Sequence, residues 1–191
     1  MTRGVAVSNK RVNVLALARS GLHGTRVINF ATEPDADAEY IRRLRLWAAD
    51  CAAHCLNLIA WNERVFSEAA TAIRAARRYA RGLTEKSTLA PFQNHTTCDR
   101  CIEGKDALFN VREEASLSAV MAAQEDVWLG ARCAARHARQ AVMNAAIRVD
   151  RQATDPDSTA YVDELRWQTD RLILRLDATE PWDWPVQIDR K

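Results

Sequence analysis

The amino-acid sequence predicts an all-α, single-domain helical bundle of about five to seven helices, preceded by an irregular or short β-hairpin N-terminal leader. Three observations carry this. Between residues 37 and 177 apolar side chains recur at three- and four-residue steps rather than in alternation. The chain has 191 residues, 48% of them apolar, with no low-complexity tract, which suffices for one packed core. The only β-prone runs, residues 12–18 and 25–30, lie before Pro34 and are separated by Ser20, Gly21 and Gly24. The boundaries that follow are a leader over 1–34, a helical domain over 35–178 and a tail over 179–191.

The first long helix starts after Pro34, with Asp35 or Asp37 as its N-cap, because a carboxylate there accepts the unpaired amides of the first turn. Ile41, Leu44, Ala48, Cys51, Cys55 and Ile59 form its inner stripe, and Glu39, Arg43, Asp50, His54 and Asn57 its wet face. A tight turn leads to a second helix with Ala69, Ile73, Ala76 and Ala80 inward and Arg74, Arg78 and Arg81 outward. Gly82 ends it, the residue best able to adopt a left-handed cap. Residues 84–104 lose the period and read as a loop carrying at most one short helix. Helical pattern resumes near Asp106 and runs to Asp150, too long for one helix, with Asp126 or Gly130 as the break. Its later half places Val127, Ala131, Ala134, Ala138, Ala145 and Val149 on one side, small residues that allow close helix packing. Asp155-Pro156-Asp157 makes a turn. A last helix from Thr159 to about Leu176 aligns Tyr161, Val162, Leu165, Leu172, Ile173 and Leu176, and Pro181 to Pro185 begin an extended tail on which Trp182 and Trp184 dock.

The hairpin segments WAADCAAH (47–54) and ARRYARG (76–82), the Ala-rich stretch 115–146 and the closing ELRWQTDRL (164–172) resemble the immunity proteins of bacterial polymorphic-toxin loci, small all-α proteins. The resemblance covers most of residues 37–176. It implies a protein that binds a cognate protein toxin and neutralises it sterically, without catalysis, and it names no residues for that task.

Composition narrows the alternatives. With 27 basic and 25 acidic residues the net charge is +2, which gives no global signature for nucleic acid. No stretch has the length of a secretory signal or a membrane span. Five cysteines without an export signal suit a cytoplasmic protein with reduced thiols.

Local chemistry offers two candidate sites. Cys98-x-x-Cys101 in the long loop and Cys133-x-x-x-His137 on the following helix have metal-ligand spacing, and together they would close a tetrahedral structural zinc site. The same cysteines suit simple burial, since cysteine behaves as a small hydrophobe. The outward row Arg74, Arg78, Arg81 and the second-face Trp167 are candidate binding residues, arginine and tryptophan being the types that most often anchor interfaces. Arg132, Arg136 and Arg139 form a similar row, and a solvated, salt-bridged face accounts for both. His54 lies with Asp50 and Asn57, away from Cys51 and Cys55, so it reads as a solvated or interface histidine paired with Asp50 rather than a base for a cysteine nucleophile. No catalytic motif is found. The expectation is therefore a toxin-binding protein. Its alternatives are a helical enzyme or small-molecule resistance protein with a cavity between hairpins, and a zinc-supported nucleic-acid-binding or regulatory module.

Overall fold

The computed structural model describes residues 9–19, 24–33, 37–93, 107–149 and 159–177. Among them are seven α-helices, two 3-10 segments and no strand, so the domain is all-α. The helices are α1 (Asn9–Arg19), α2 (Thr25–Ala31), α3 (Ala38–Leu56), α4 (Glu63–Ala80), α5 (Ala107–Ala122), α6 (Val127–Val149) and α7 (Thr159–Leu176), and the 3-10 segments are Asn57–Ile59 and Lys86–Phe92. Counted together they exceed the five to seven expected. No described helix is long and apolar enough to cross a membrane.

α3 is the axis of the fold and touches α4, α5, α6 and α7. Asp37 starts it by accepting the amides of Glu39 and Tyr40 at 2.8 and 3.1 Å. α4 returns antiparallel, with Asn62 as its N-cap, and closes in the motif the sequence predicts: Gly82 has φ +68°, its amide donates to Tyr79 O, and Leu83 N donates to Arg78 O. α5 and α6 form a second antiparallel hairpin. Its break falls at residues 123–126, where Asp126 accepts the amides of Trp128 and Leu129 and so caps α6. Gly130 sits inside α6, not at the break. A Cβ there would lie 2.6 Å from Met121 O, so the crossing of the two helices depends on its absence. The long loop begins as the 3-10 segment Lys86–Phe92, held against the α5–α6 turn by Gln93, whose amide donates to Leu89 O and Ala123 O and accepts from Glu125 N.

The leader, which the sequence leaves open between an irregular segment and a short β-hairpin, is helical where it is described: residues 12–18 and 25–30 fall in α1 and α2. Their β-branched residues carry only a weak intrinsic preference, and burial overrides it. Val14, Val27, Ile28 and Ala31 join the same core as α3 to α7, where helices pack on helices and no strand edge offers pairing. Gly24 N donates to Thr169 Oγ1, Arg11 Nε donates to Leu176 O, and Tyr40 OH donates to Ala31 O, which fastens α1 and α2 to α7 and α3.

Candidate functional site

Where α7 crosses α3, the interface is polar at its centre. The sequence assigns Arg43 and Asp50 to a wet face, yet both are buried, because α7 lies antiparallel over that face. The inward side of α7 is likewise not the aliphatic stripe expected. Val162 is 41% exposed, while Glu164, Gln168, Thr169 and Arg175 are buried beside Leu172 and Leu176. Polar groups so placed must meet one another.

They do so in two layers. In the first, Asp50 Oδ1 accepts from Arg77 Nη2 of α4 at 2.9 Å, and Oδ2 accepts from Arg171 Nε at 2.8 Å and Arg175 Nε at 2.6 Å, both of α7. The carboxylate is fully enclosed and ties three helices. Burial, the largest influence on Asp50, pushes its carboxyl upward. The Arg175 hydrogen bond and the charges of Arg175, Arg77 and Arg171 outweigh it and hold the group below the usual carboxylate range. Nearer the end of α7, Arg43 donates to Glu39 and to the carbonyls of Arg175 and Asp177, satisfying the helix terminus.

The second layer is centred on Gln168. Its amide donates to Glu164 Oε1 and Ala135 O, its Oε1 accepts from Arg139 Nη1 at 2.7 Å, and its backbone carbonyl accepts from Trp47 Nε1 at 2.8 Å. Arg139 is therefore an interior residue and not part of an outward row with Arg132 and Arg136, both of which are exposed. His54 pairs not with Asp50 but with Glu164, Nδ1 to Oε2 at 3.0 Å, and its ring stacks on Trp167 at 3.8 Å between centroids. Trp167 thus meets α3, as a second-face tryptophan must meet something. Cys51 and Cys55 lie beneath as free, buried thiols; burial drives Cys51 well above the ordinary thiol range and pushes Cys55 up to about 12.

Of the candidate binding residues, Arg74 and Arg78 are exposed on α4 and Arg81 is half-buried at its C-terminus. Arg74 donates to Thr71 Oγ1. With Arg64, Ser67, Glu68 and Thr71 they make a continuous exposed row, bounded by Trp61 (53% exposed) before the helix and Leu83 (62%) after it. α3 separates this row from Trp167, and Asp50, through Arg77 and Arg171, is the link between them.

Of the candidate metal ligands, Cys98 and Cys101 lie outside the described residues. Cys133 is fully buried and disulfide-bonded, whereas reduced thiols are the expectation from sequence. His137 is buried on the α5 side of α6. It faces Glu114 with Nδ1 at 2.6 Å from Oε2, which leaves Nε2 shielded and without a partner. α6 is enclosed by α3, α5 and α7, so Cys133 and His137 are both interior. Among the described residues no three His, Cys, Asp or Glu side chains gather as a metal site.

The missed residues had a signal. Glu164, Gln168, Arg171 and Arg175 follow helical spacing on α7, as Arg43, Asp50 and His54 do on α3, and two polar stripes of complementary charge can seal against each other. Comparison with protein-family models, with curated proteins and with solved structures finds no match for this chain.

Proposed function

We propose that this protein is a cytoplasmic binding protein that neutralises a cognate protein toxin by covering it, with the outward face of α4 as the contact surface. The observation that carries the reading is the exposed row on α4. Arg64, paired with Glu68, and Arg74 and Arg78 stand with Ser67 and Thr71 along a helix of 18 residues, about 27 Å at 1.5 Å per residue, and Trp61 and Leu83 stand exposed at its two ends. Such a surface combines aromatic and guanidinium anchors with a rigid backing, since α4 is held by α3 and α5. The resemblance of the α3–α4 hairpin to immunity proteins supports the toxin as partner. The mechanism is steric occlusion, with electrostatic attraction between the arginines and acidic groups of the partner setting orientation and association rate.

The test is co-expression with the product of the neighbouring gene. Wild type rescues growth; Arg74→Glu with Arg78→Glu loses rescue while the circular dichroism and melting temperature stay unchanged, and affinity falls about 30-fold or more, as loss of an interface hot spot requires. Unchanged rescue by that variant removes α4 as the contact face. Turnover of a substrate by the isolated protein, abolished by one substitution at His54 or Glu164, moves it to the enzyme class instead.

A zinc-supported form is the second reading, favoured by the orphaned Nε2 of His137. A carboxylate that fixes one ring nitrogen and leaves the other free is the usual support for a metal-bound histidine. Cys98, Cys101 and Cys133 would complete the set only once Cys133 is reduced. Elemental analysis of reduced protein decides it: about one zinc per chain supports the site, and none retires it.

A further inference from the structure

The Asp50 cluster holds more positive charge and more donors than its one carboxylate can use. Three guanidinium groups converge on Asp50, with side chains 15% (Arg77), 11% (Arg171) and 5% (Arg175) exposed. Each spends one nitrogen on the carboxylate: Nη2 of Arg77, Nε of Arg171 and Nε of Arg175. A guanidinium carries five N–H donors, so most of the fork remains unused. Nη2 of Arg171 is shielded from solvent and has no acceptor at all. A purely structural ion pair at this depth would be balanced, since two unmatched charges taken out of water cost several kcal/mol each. Here the imbalance is two positive charges.

We propose that the cluster is an anion site and that its ligand is a phosphoryl group, as free phosphate or as a phosphomonoester, lodged against Arg171 and Arg77 on the side away from Asp50. A dianion matches the two uncompensated charges. Its tetrahedral oxygens accept from two guanidinium edges at different angles, the geometry for which arginine is better suited than lysine. Asp50 then acts as the positioning residue: by engaging Nε of Arg171 and Nη2 of Arg77 it fixes both planes and leaves their remaining edges to the ligand. Arg77 and Arg171 are the two members nearest to solvent, so they form the side from which a ligand would enter. The site is distinct from the α4 contact face, since Arg77 points to α3 while Arg74 and Arg78 point outward, and it stands whether or not a toxin is the partner.

The experiment is calorimetric titration of the full chain with inorganic phosphate, glycerol phosphate and acetate at constant ionic strength set by sodium chloride. Saturable binding of phosphate, with a melting temperature that rises and levels off as the site fills, is the expected result. Equal binding of glycerol phosphate assigns a phosphomonoester, and binding of phosphate alone assigns the free ion. Arg171→Lys keeps the charge beside Asp50 but lacks the fork, and it weakens binding about ten- to a hundredfold, the loss of a charge-assisted hydrogen bond. Arg74→Gln, on the outward face, leaves binding unchanged. Absence of saturable heat with wild type, acetate binding as tightly as phosphate, or a folded Arg171→Lys of undiminished affinity overturns the proposal. If Arg171→Lys does not fold, broadening of the phosphate phosphorus resonance by wild type, saturable in phosphate and not reversed by chloride, supplies the same decision.

Discussion

Asp50 shows how one side chain can be both an anchor and a liability. Replacing it with Asn keeps the shape but leaves Arg77, Arg171 and Arg175 mutually repelling in a poorly solvated space, so Asp50→Asn should cost about 3 to 5 kcal/mol at pH 7. The pH dependence has a definite sign. The folded carboxyl titrates below its unfolded value of about 3.9, so its contribution is complete above that pH and is lost as pH falls through the lower, folded value. In urea unfolding at a series of pH values, the gap between wild type and Asp50→Asn should therefore be constant from neutrality to about pH 5 and narrow below about pH 4. A gap that persists undiminished in acid would assign the effect to shape rather than charge. Cys51 and Cys55 give a second expectation at this scale. Both thiols are enclosed and pushed upward by burial, so neither forms the reactive thiolate near neutral pH. Native protein treated with a thiol-specific chromogenic disulfide should leave both unmodified, and unfolding should release both to reaction; rapid labelling of either in the native state would contradict their placement.

At the scale of elements, the crossing of α5 and α6 rests on one missing methyl group. Alanine is the better helix former by about 1 kcal/mol, so intrinsic propensity alone makes Gly130→Ala stabilising. The Cβ would instead stand 2.6 Å from the Met121 carbonyl, a backbone atom of the neighbouring helix end that cannot rotate away. Overpacking of this kind costs about 1 to 3 kcal/mol, and we expect Gly130→Ala to lower stability in thermal and urea unfolding despite its propensity. The sequence reading had Gly130 as one of two candidate breaks, because glycine between helical runs is ordinarily a stop signal; only the partner helix reveals the other use. The same limit governs the rest. Periodicity suffices where one face of a helix is buried, which is why the α4 core of Ala69, Ile73, Ala76 and Ala80 and the Gly82 cap were legible. It fails for α3, where residues 43–53 are buried on every side, and for α7, where Gln168 and Arg175 point inward. A polar residue is assigned to solvent by default, and its assignment reverses only when a second helix supplies the matching group. α1 and α2 illustrate the complementary failure: β-branched residues suggested strands, but the tertiary surface on offer was helical.

Over the whole molecule, α7 is what converts a set of hairpins into one folding unit. The α3–α4 and α5–α6 hairpins meet along α3 through small side chains, and Ser118 Oγ donates to Ala134 O where α5 and α6 are closest. α7 supplies the acceptors of Trp47 and Arg139, two of the three arginines on Asp50, and, with the carbonyls at its terminus, two acceptors of Arg43. α1 and α2 depend on α7 in turn, through Thr169 and Leu176, while α3 draws on them for the burial around Val27, Ile28 and Ala31 and for the acceptor of Tyr40 OH. The two ends of the chain are therefore unequal in consequence. Removal of residues 1–33 deletes one buried hydrogen bond of α3 and a small apolar patch, and should lower the melting temperature while the transition remains single and cooperative. Removal of residues 159–191 takes away two of the three arginines on Asp50 and the Gln168 partners of Trp47 and Arg139, and it uncovers the face of α3 that α7 buries, a loss large beside the marginal stability of a domain this size. That truncation should keep much of its helical circular dichroism but lose the cooperative transition and bind a hydrophobic dye, as compact chains without fixed packing do. A sharp melt in the shortened protein, with Trp47 fluorescence unchanged from the full chain, would show instead that the two hairpins are self-sufficient and that the polar layers under α7 contribute to function alone.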